Sequence, residues 1–369
     1  MSAASKDWLL RFGWLVAVFG AIVVLAPQPE LTDRDMYVTF GRRIIVPDCS
    51  DVSCMRVLIG WFLERFPGTD VVKWSTYAVL ANAAAALAVR RLSLTLGLTA
   101  RAADFAMWFD ALGFGPLFAL FNPYTADPLM FALGAWLTDL LLRGRRGLPT
   151  ALAAIGIFAK EFAAAPLWIV TIAAALRRDW RTAPSLLACA LTVTLVWLSA
   201  QAALMVLFNY SLGDNPSADF LHGAYLAKWM RELSPRLALV AMVAEFGVLY
   251  LLFAAGLRLA SADLRALVLA SIPAALLLAY VQQPDRALWN FHFLVVPVAM
   301  LVVDRADWLM AWSVFVFYAA ANLRFGAQLA AVPSAGLPMM LSFVLGLLMV
   351  VRTWRESPPR PIRVEGSRP

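Results

Sequence analysis

The sequence predicts an all-α, polytopic integral membrane protein, on three observations. Apolar residues make up 62% of the 369-residue chain and charged residues only 15%, where a soluble domain needs about a quarter charged. The apolar residues fall in runs that meet or approach the roughly 20 residues needed to cross about 30 Å of hydrocarbon. The basic residues, which bring the net charge to +7, stand in short clusters between these runs. That pattern orients helices in a bilayer; nucleic-acid binding needs a contiguous basic face.

Taken in order, the first run covers 8–26. It is long for a signal peptide and lacks a small-residue cleavage site, so it reads as a retained signal anchor. An outer loop at 28–70 follows, in which Met36, Val38, Phe40, Ile44 and Ile45 interleave with Arg42 and Arg43. Such interleaving predicts an amphipathic helix lying at the interface. Further runs lie at 71–89, 102–121, 126–142, 184–207, 237–257, 264–281, 287–303, 306–322 and 334–351, with a second outer loop at 208–236. The expectation is about ten full transmembrane helices in one domain, residues 1–352. A Pro/Arg-rich cytosolic tail, 353–369, reads as disordered.

The segment from Leu148 to Leu176 is too long for one ordinary span and carries Lys160 and Glu161 at its midpoint. Two charges at the bilayer centre are costly. Arg143, Arg145 and Arg146 stand before it, and Arg177, Arg178 and Arg181 after it. Both flanks therefore read as cytosolic, and the chain must enter and return. The prediction is a short helical hairpin at 148–176 with Lys160-Glu161 at its turn. Irregular backbone at that depth is tolerated only where it lines protein or a water-filled cavity. The hairpin puts both termini inside and both long loops outside.

Several residues carry potential chemistry. Asp33 stands at the start of the amphipathic segment, either as its cap or as a carboxylate facing the membrane rim. Asp33-x-Asp35 imitates a metal-binding acidic pair, but two carboxylates two apart on a helix diverge and no third oxygen ligand is evident. The expectation is no cofactor, with a divalent metal at Asp33 and Asp35 as the weak alternative. Cys49 and Cys54 either close a small disulfide or remain two thiols. Asp127 reads as a helix cap at the outer rim. Asp110 and Glu245 lie within spans and need polar partners, whereas Asp139 lies near a cytosolic end and can reach water. The second outer loop holds Asp214, Asp219, His222 and Tyr225 and reads as a solvated lid. Zinc spacing, a Gly-rich phosphate loop and a nucleophile elbow are absent.

Three segments together resemble the GT-C superfamily, polytopic glycosyltransferases that use polyprenyl-phosphate sugars and include the aminoarabinose and protein mannosyl transferases. The first is Asp33 after the opening span, with Tyr37 four residues on and the amphipathic segment around it. The second is Thr125-Ala126-Asp127-Pro128-Leu129, a span, a basic turn from Arg143, and an apolar arm ending in Lys160-Glu161. The third is Gln283-Pro284-Asp285-Arg286-Ala287-Leu288-Trp289, followed by a span containing Pro297. The likeness covers roughly the first 180 residues and 280–300.

The resemblance implies a GT-C-like fold and sugar transfer from a lipid-linked donor to an acceptor at the extracytoplasmic face of the inner membrane. It implies that Asp33 is the general base, because the acceptor's proton must leave as the new bond forms. Lys160, Arg286 and Arg324, at outer turns, would meet the anionic leaving phosphate. Asp35, Tyr37, Asp127, Glu161 and His292 join them as substrate-contact candidates. Other readings stand beside these roles: Lys160 paired with Glu161, and Arg286 paired with Asp285 or snorkelling to the interface. The implied partners are the polyprenyl-phosphate sugar, an acceptor lipid, glycan or protein, and membrane lipid, with no nucleic acid. The alternative function is a multi-span transporter or lipid-linked sugar flippase, although no internal repeat accompanies it.

Overall fold

The computed structural model describes residues 3–25, 33–50, 52–211, 219–282, 284–323 and 336–356, which are helical with no strand among them. The helices are α1 (Ala3–Leu25), α2 (Arg34–Arg42), α3 (Leu58–Leu63), α4 (Asp70–Thr95), α5 (Ala100–Ala111), α6 (Phe114–Phe121) and α7 (Asp127–Leu142). After them come α8 (Gly147–Gly156), α9 (Ala165–Leu176), α10 (Ala183–Phe208), α11 (Ala224–Glu232), α12 (Pro235–Phe246) and α13 (Val248–Leu259). The last five are α14 (Ala262–Val281), α15 (Pro284–Ala287), α16 (His292–Val303), α17 (Trp308–Asn322) and α18 (Leu337–Glu356).

Side-chain pairs sort the helix ends into two layers. At one end, here called basal, Arg11 and Arg90 meet Asp104 at 2.8 and 2.6 Å. There Arg91 and Arg143 each meet Asp139 at 2.8 Å, Arg177 meets Asp263 at 2.9 Å, and Arg352 meets Asp307 at 2.5 Å. At the opposite, apical end, Arg34 meets Asp70 at 3.1 Å, Lys160 meets Asp127 at 2.6 Å and Arg56 meets Glu161 at 2.8 Å. Asp139 is fully buried between its two arginines and Thr95, a correction to the expectation that it reaches water. A charge near a span's end is here neutralised by neighbours rather than by solvent.

These layers fix the path of the hairpin. From Asp127 to Leu142, α7 descends from the apical to the basal end, and α8 climbs back beside it. The Asp48 amide donates to the Phe208 carbonyl (3.0 Å), so α10 ends apically and starts basally at Ala183. The intervening α9 therefore descends from the Lys160 turn to Leu176. Arg143 and Arg178 lie in the same layer, and the chain doubles back at Lys160-Glu161, as the charge clusters predict. A 3-10 turn, Glu161–Ala164, links the arms.

Among the described residues, six helices are long and apolar enough to cross a membrane, or up to seven if the bent pair α12–α13 counts as one span. The expected runs at 126–142, 287–303 and 306–322 instead give helices of 16, 12 and 15 residues in α7, α16 and α17. Two of these start at a polar residue held below the apical rim, Asp127 by Lys160 and His292 by Asp110. At about 1.5 Å per residue, α16 rises about 18 Å while α4 and α10 rise about 39 Å. The short helices leave room above them for the apical loops. The last helix continues to Glu356, past the expected start of the tail at 353; residues 357–369 lie outside the described ones.

Helices α13 and α16 cross where Gly256 meets the Val298 carbonyl, and a Cβ there would sit 2.1 Å from that oxygen. Overpacking of this kind costs about 1–3 kcal/mol, so Gly256→Ala is expected to lower the melting temperature of the detergent-purified protein. An unchanged melting curve would contradict this close crossing.

Candidate functional site at the apical end

The first apical loop builds the rim. Asp33 is the residue before α2, and its side chain makes no capping hydrogen bond to that helix. Asp35 points outward with a side chain 98% exposed, 3.7 Å from Arg34. Tyr37, on the inner face of the same helix, is buried and packs on Trp74 (5.5 Å between ring centroids), which also meets Tyr77 and Tyr124. Such aromatic clusters fix the angle at which a short helix sits on its neighbours. Helix α2 rests on α3 where a Cβ on Gly41 would lie 2.6 Å from the Gly60 carbonyl carbon. Only glycine permits that backbone approach.

The floor is the hairpin turn. Beyond Gly156 the chain unwinds, and Lys160 is extended (φ −166°, ψ 137°). Its ammonium reaches the Asp127 carboxylate at 2.6 Å, and both residues are buried. Asp127 is the first residue of α7. Its amide donates to the Thr125 hydroxyl (3.2 Å), so Thr125 serves the local turn and the Asp127 carboxylate goes to Lys160. The Tyr77 hydroxyl donates to the Ala126 carbonyl (3.4 Å) and accepts from the Leu129 amide (3.2 Å), holding the first turn of α7 from α4.

Glu161 pairs with Arg56, not with Lys160. Arg56 descends on the segment before α3, where the Leu58 amide donates to the Phe158 carbonyl at 3.0 Å. Burial works against its charge, but the Glu161 carboxylate, with its neighbours, offsets this and holds the guanidinium above its ordinary range. Asp127 and Tyr37 add to that field. Three segments far apart in sequence thus converge: Tyr37 and Arg56 from the first loop, Asp127 from α7, and Lys160 and Glu161 from the hairpin.

Above the floor, Asp70 faces Arg34 (3.1 Å), Arg42 (3.5 Å) and Lys73 (3.4 Å). Glu64 faces Arg42 (3.3 Å) and Lys73 (3.1 Å). The Asp70 hydrogen bond raises the Arg34 guanidinium above its ordinary value. Arg34, Arg56, Glu64, Asp70, Lys73 and Tyr77 were not among the sequence candidates. One signal was present: Lys73, near the start of a long apolar run, is a charge that demands a partner. The cations of this cluster each face a carboxylate.

Of the other candidates, Arg324 lies outside the described residues, and for Arg286 only the backbone, in α15, is described. His292 is remote from solvent and pairs with Asp110 at 2.5 Å, supplying the partner that Asp110 requires. Glu245 is likewise buried, at the end of α12. Cys49 and Cys54 form a disulfide; Ser211 donates its amide to the Cys49 carbonyl at 3.1 Å, joining the first loop to the end of α10. Part of the second loop is outside the described residues; within the rest, His222 meets Asp219 at 2.7 Å. No group of three or more His, Cys, Asp or Glu side chains suited to a metal occurs among the described residues. Comparison with protein-family models, curated proteins and solved structures finds no match.

Proposed function

We propose that the apical site transfers a sugar from a polyprenyl-phosphate donor to an acceptor at the extracytoplasmic face, within a GT-C-like bundle of about ten membrane crossings, full and partial. The observation that carries this reading is the Lys160 turn, held by Asp127 at the apical end beneath the loop that bears Asp33. In the reaction, the acceptor oxygen bonds to the anomeric carbon and gives its proton to Asp33. The bond from that carbon to the phosphate oxygen breaks. The polyprenyl phosphate departs with the charge, which Lys160 and Arg56 meet by partner exchange with Asp127 and Glu161.

Two further features support it. A groove of about 440 Å³ runs between α13, α14 and α16, lined by Phe246, Tyr250, Leu276, Leu288 and Phe291. Its Phe291 meets Phe162, the residue after Glu161, edge to face (5.4 Å between ring centroids), so a prenyl chain in the groove starts beside the turn. Orientation has independent support, since disulfides persist in oxidising compartments and arginine clusters favour the cytosol. The Cys49–Cys54 bond is apical, while Arg91 and Arg143 at Asp139 and Arg177 at Asp263 are basal, which supports cytosolic termini.

The second reading, a transporter or flippase, draws on the 63° bend between α12 and α13 and on the buried Asp110–His292 pair. Bent helices and interior charge pairs occur in transporters. Mass spectrometry of lipid copurifying with the protein separates the two. A polyprenyl phosphate or its sugar conjugate is expected; a soluble solute with no prenyl lipid would overturn the transferase.

A further inference from the structure

Asp110 and His292 are wholly buried, and the only other histidine, His222, is in the second outer loop. Asp110 sits near the end of α5 and His292 at the start of α16; each is about 15–18 Å from the basal end by helical rise. The His292 Nδ1 lies 2.5 Å from the Asp110 carboxylate, and Nε2 lies 3.3 Å from the Phe131 carbonyl of α7. Trp289 stacks on the imidazole (5.9 Å, 6° between planes), and Phe246 stacks on Trp289 (4.6 Å). Those flat contacts hold the ring in one orientation.

Proton counting constrains the pair. A carbonyl only accepts, so Nε2 carries a hydrogen. Between Nδ1 and the carboxylate there is one further proton, on one atom or the other. Imidazolium with carboxylate, and imidazole with carboxylic acid, are both neutral as pairs. Neutrality is what lets two ionisable groups occupy a dry interior, because a lone buried charge is far more costly. Asp110 and His292 therefore tie α5, α16 and α7 together at one level. Phe131 is one turn below Asp127, the residue that holds Lys160.

Resting on the apical reading above, we propose that Asp110 and His292 are positioning residues for the apical site. Through the Phe131 carbonyl they fix the first turn of α7, and with it the Asp127–Lys160 pair that meets an anionic lipid phosphate. Neither residue touches the substrate; both act through α7. Tyr77 holds the same turn from α4, so two helices and a buried pair set where Asp127 stands.

The test compares three full-length variants in detergent and lipid, reading retention of an added synthetic polyprenyl phosphate and amide exchange at 127–131. Asp110→Asn keeps the arrangement, since the amide donates to Nδ1 while Nε2–H still faces Phe131; wild-type retention and exchange are expected. His292→Leu leaves the carboxylate buried alone and is expected to lower thermal stability. The double variant Asp110→Leu/His292→Leu removes both polar groups, so its melting temperature is expected near wild type. Its retention is expected to fall by roughly tenfold to a hundredfold, the range seen when an outer partner that orients a metal ligand is lost, with faster exchange at 127–131. Wild-type retention and exchange in the double variant would overturn the proposal, as would an Asp110→Asn variant that behaves like it. Exchange needs no ligand, so it decides the positioning role even if the wild type retains no prenyl lipid, a result that would overturn only the apical reading.

Discussion

Asp33→Asn is expected to lower sugar transfer by roughly two to four orders of magnitude, the span that a positioned general base supplies. The amide is nearly isosteric with the carboxylate but cannot take the acceptor's proton. Asp33 makes no capping hydrogen bond to α2, so the substitution removes no cap and the helix should persist. Donor binding depends on the floor below and should change little. A loss confined to turnover, with prenyl-phosphate retention unchanged, is the expected pattern. Full turnover in the variant would remove Asp33 from the chemistry.

The second large effect concerns the floor. Lys160→Met removes the ammonium that faces the Asp127 carboxylate in a site where both residues are buried. Breaking a buried pair on one side costs about 3–5 kcal/mol, whereas replacing both charges is often close to neutral. The single variant should therefore melt well below the wild type in detergent. Adding Asp127→Asn should recover most of that stability, because no uncompensated charge remains. Transfer should not recover, since the cation that meets the leaving phosphate is still missing. Stability and activity thus separate in one pair of variants. Equal melting of Lys160→Met and wild type would mean the pair is solvated rather than buried.

Much of this arrangement was legible in the sequence where a charge interrupts an apolar run. Lys160 and Glu161 stand inside such a run, and the arginines flanking it predict the return of the chain. The amphipathic stretch from Met36 predicts α2, and the Cys49 and Cys54 spacing allows the bond that forms. Partners were less legible than sites. Lys160 finds Asp127 33 residues away and Arg56 finds Glu161 105 residues away, and no local pattern carries pairings of that range. The local pairing of Lys160 with Glu161 fails because adjacent side chains at this extended turn diverge.

Helix breaks were the least legible feature. Hydropathy reports how apolar a segment is and says nothing of whether it is straight. Residues 102–121 form one apolar run, yet the helix is interrupted at Leu112-Gly113, where Trp289 and the Tyr318 hydroxyl crowd the space a Cβ would fill on Gly113. Gly247 interrupts 237–257 in the same way, with φ +53° and ψ −132°, a backbone conformation suited to glycine. Both breaks answer to packing from distant helices. The count of full-length helices falls below the expected ten because α7, α16 and α17 are only 16, 12 and 15 residues long; α16 begins at His292, a polar residue held by Asp110.

The return of the chain at Lys160 is the claim on which the apical site stands, and labelling of engineered cysteines tests it most directly. In full-length protein with Cys189→Ala, a membrane-impermeant maleimide is applied to sealed vesicles of known orientation. Arg145→Cys, Arg178→Cys and Asp35→Cys, all at exposed positions, are read separately. The prediction is that positions 145 and 178 label from one side and position 35 from the other. Labelling of 145 and 178 from opposite sides would contradict the hairpin and remove Lys160 from the apical face.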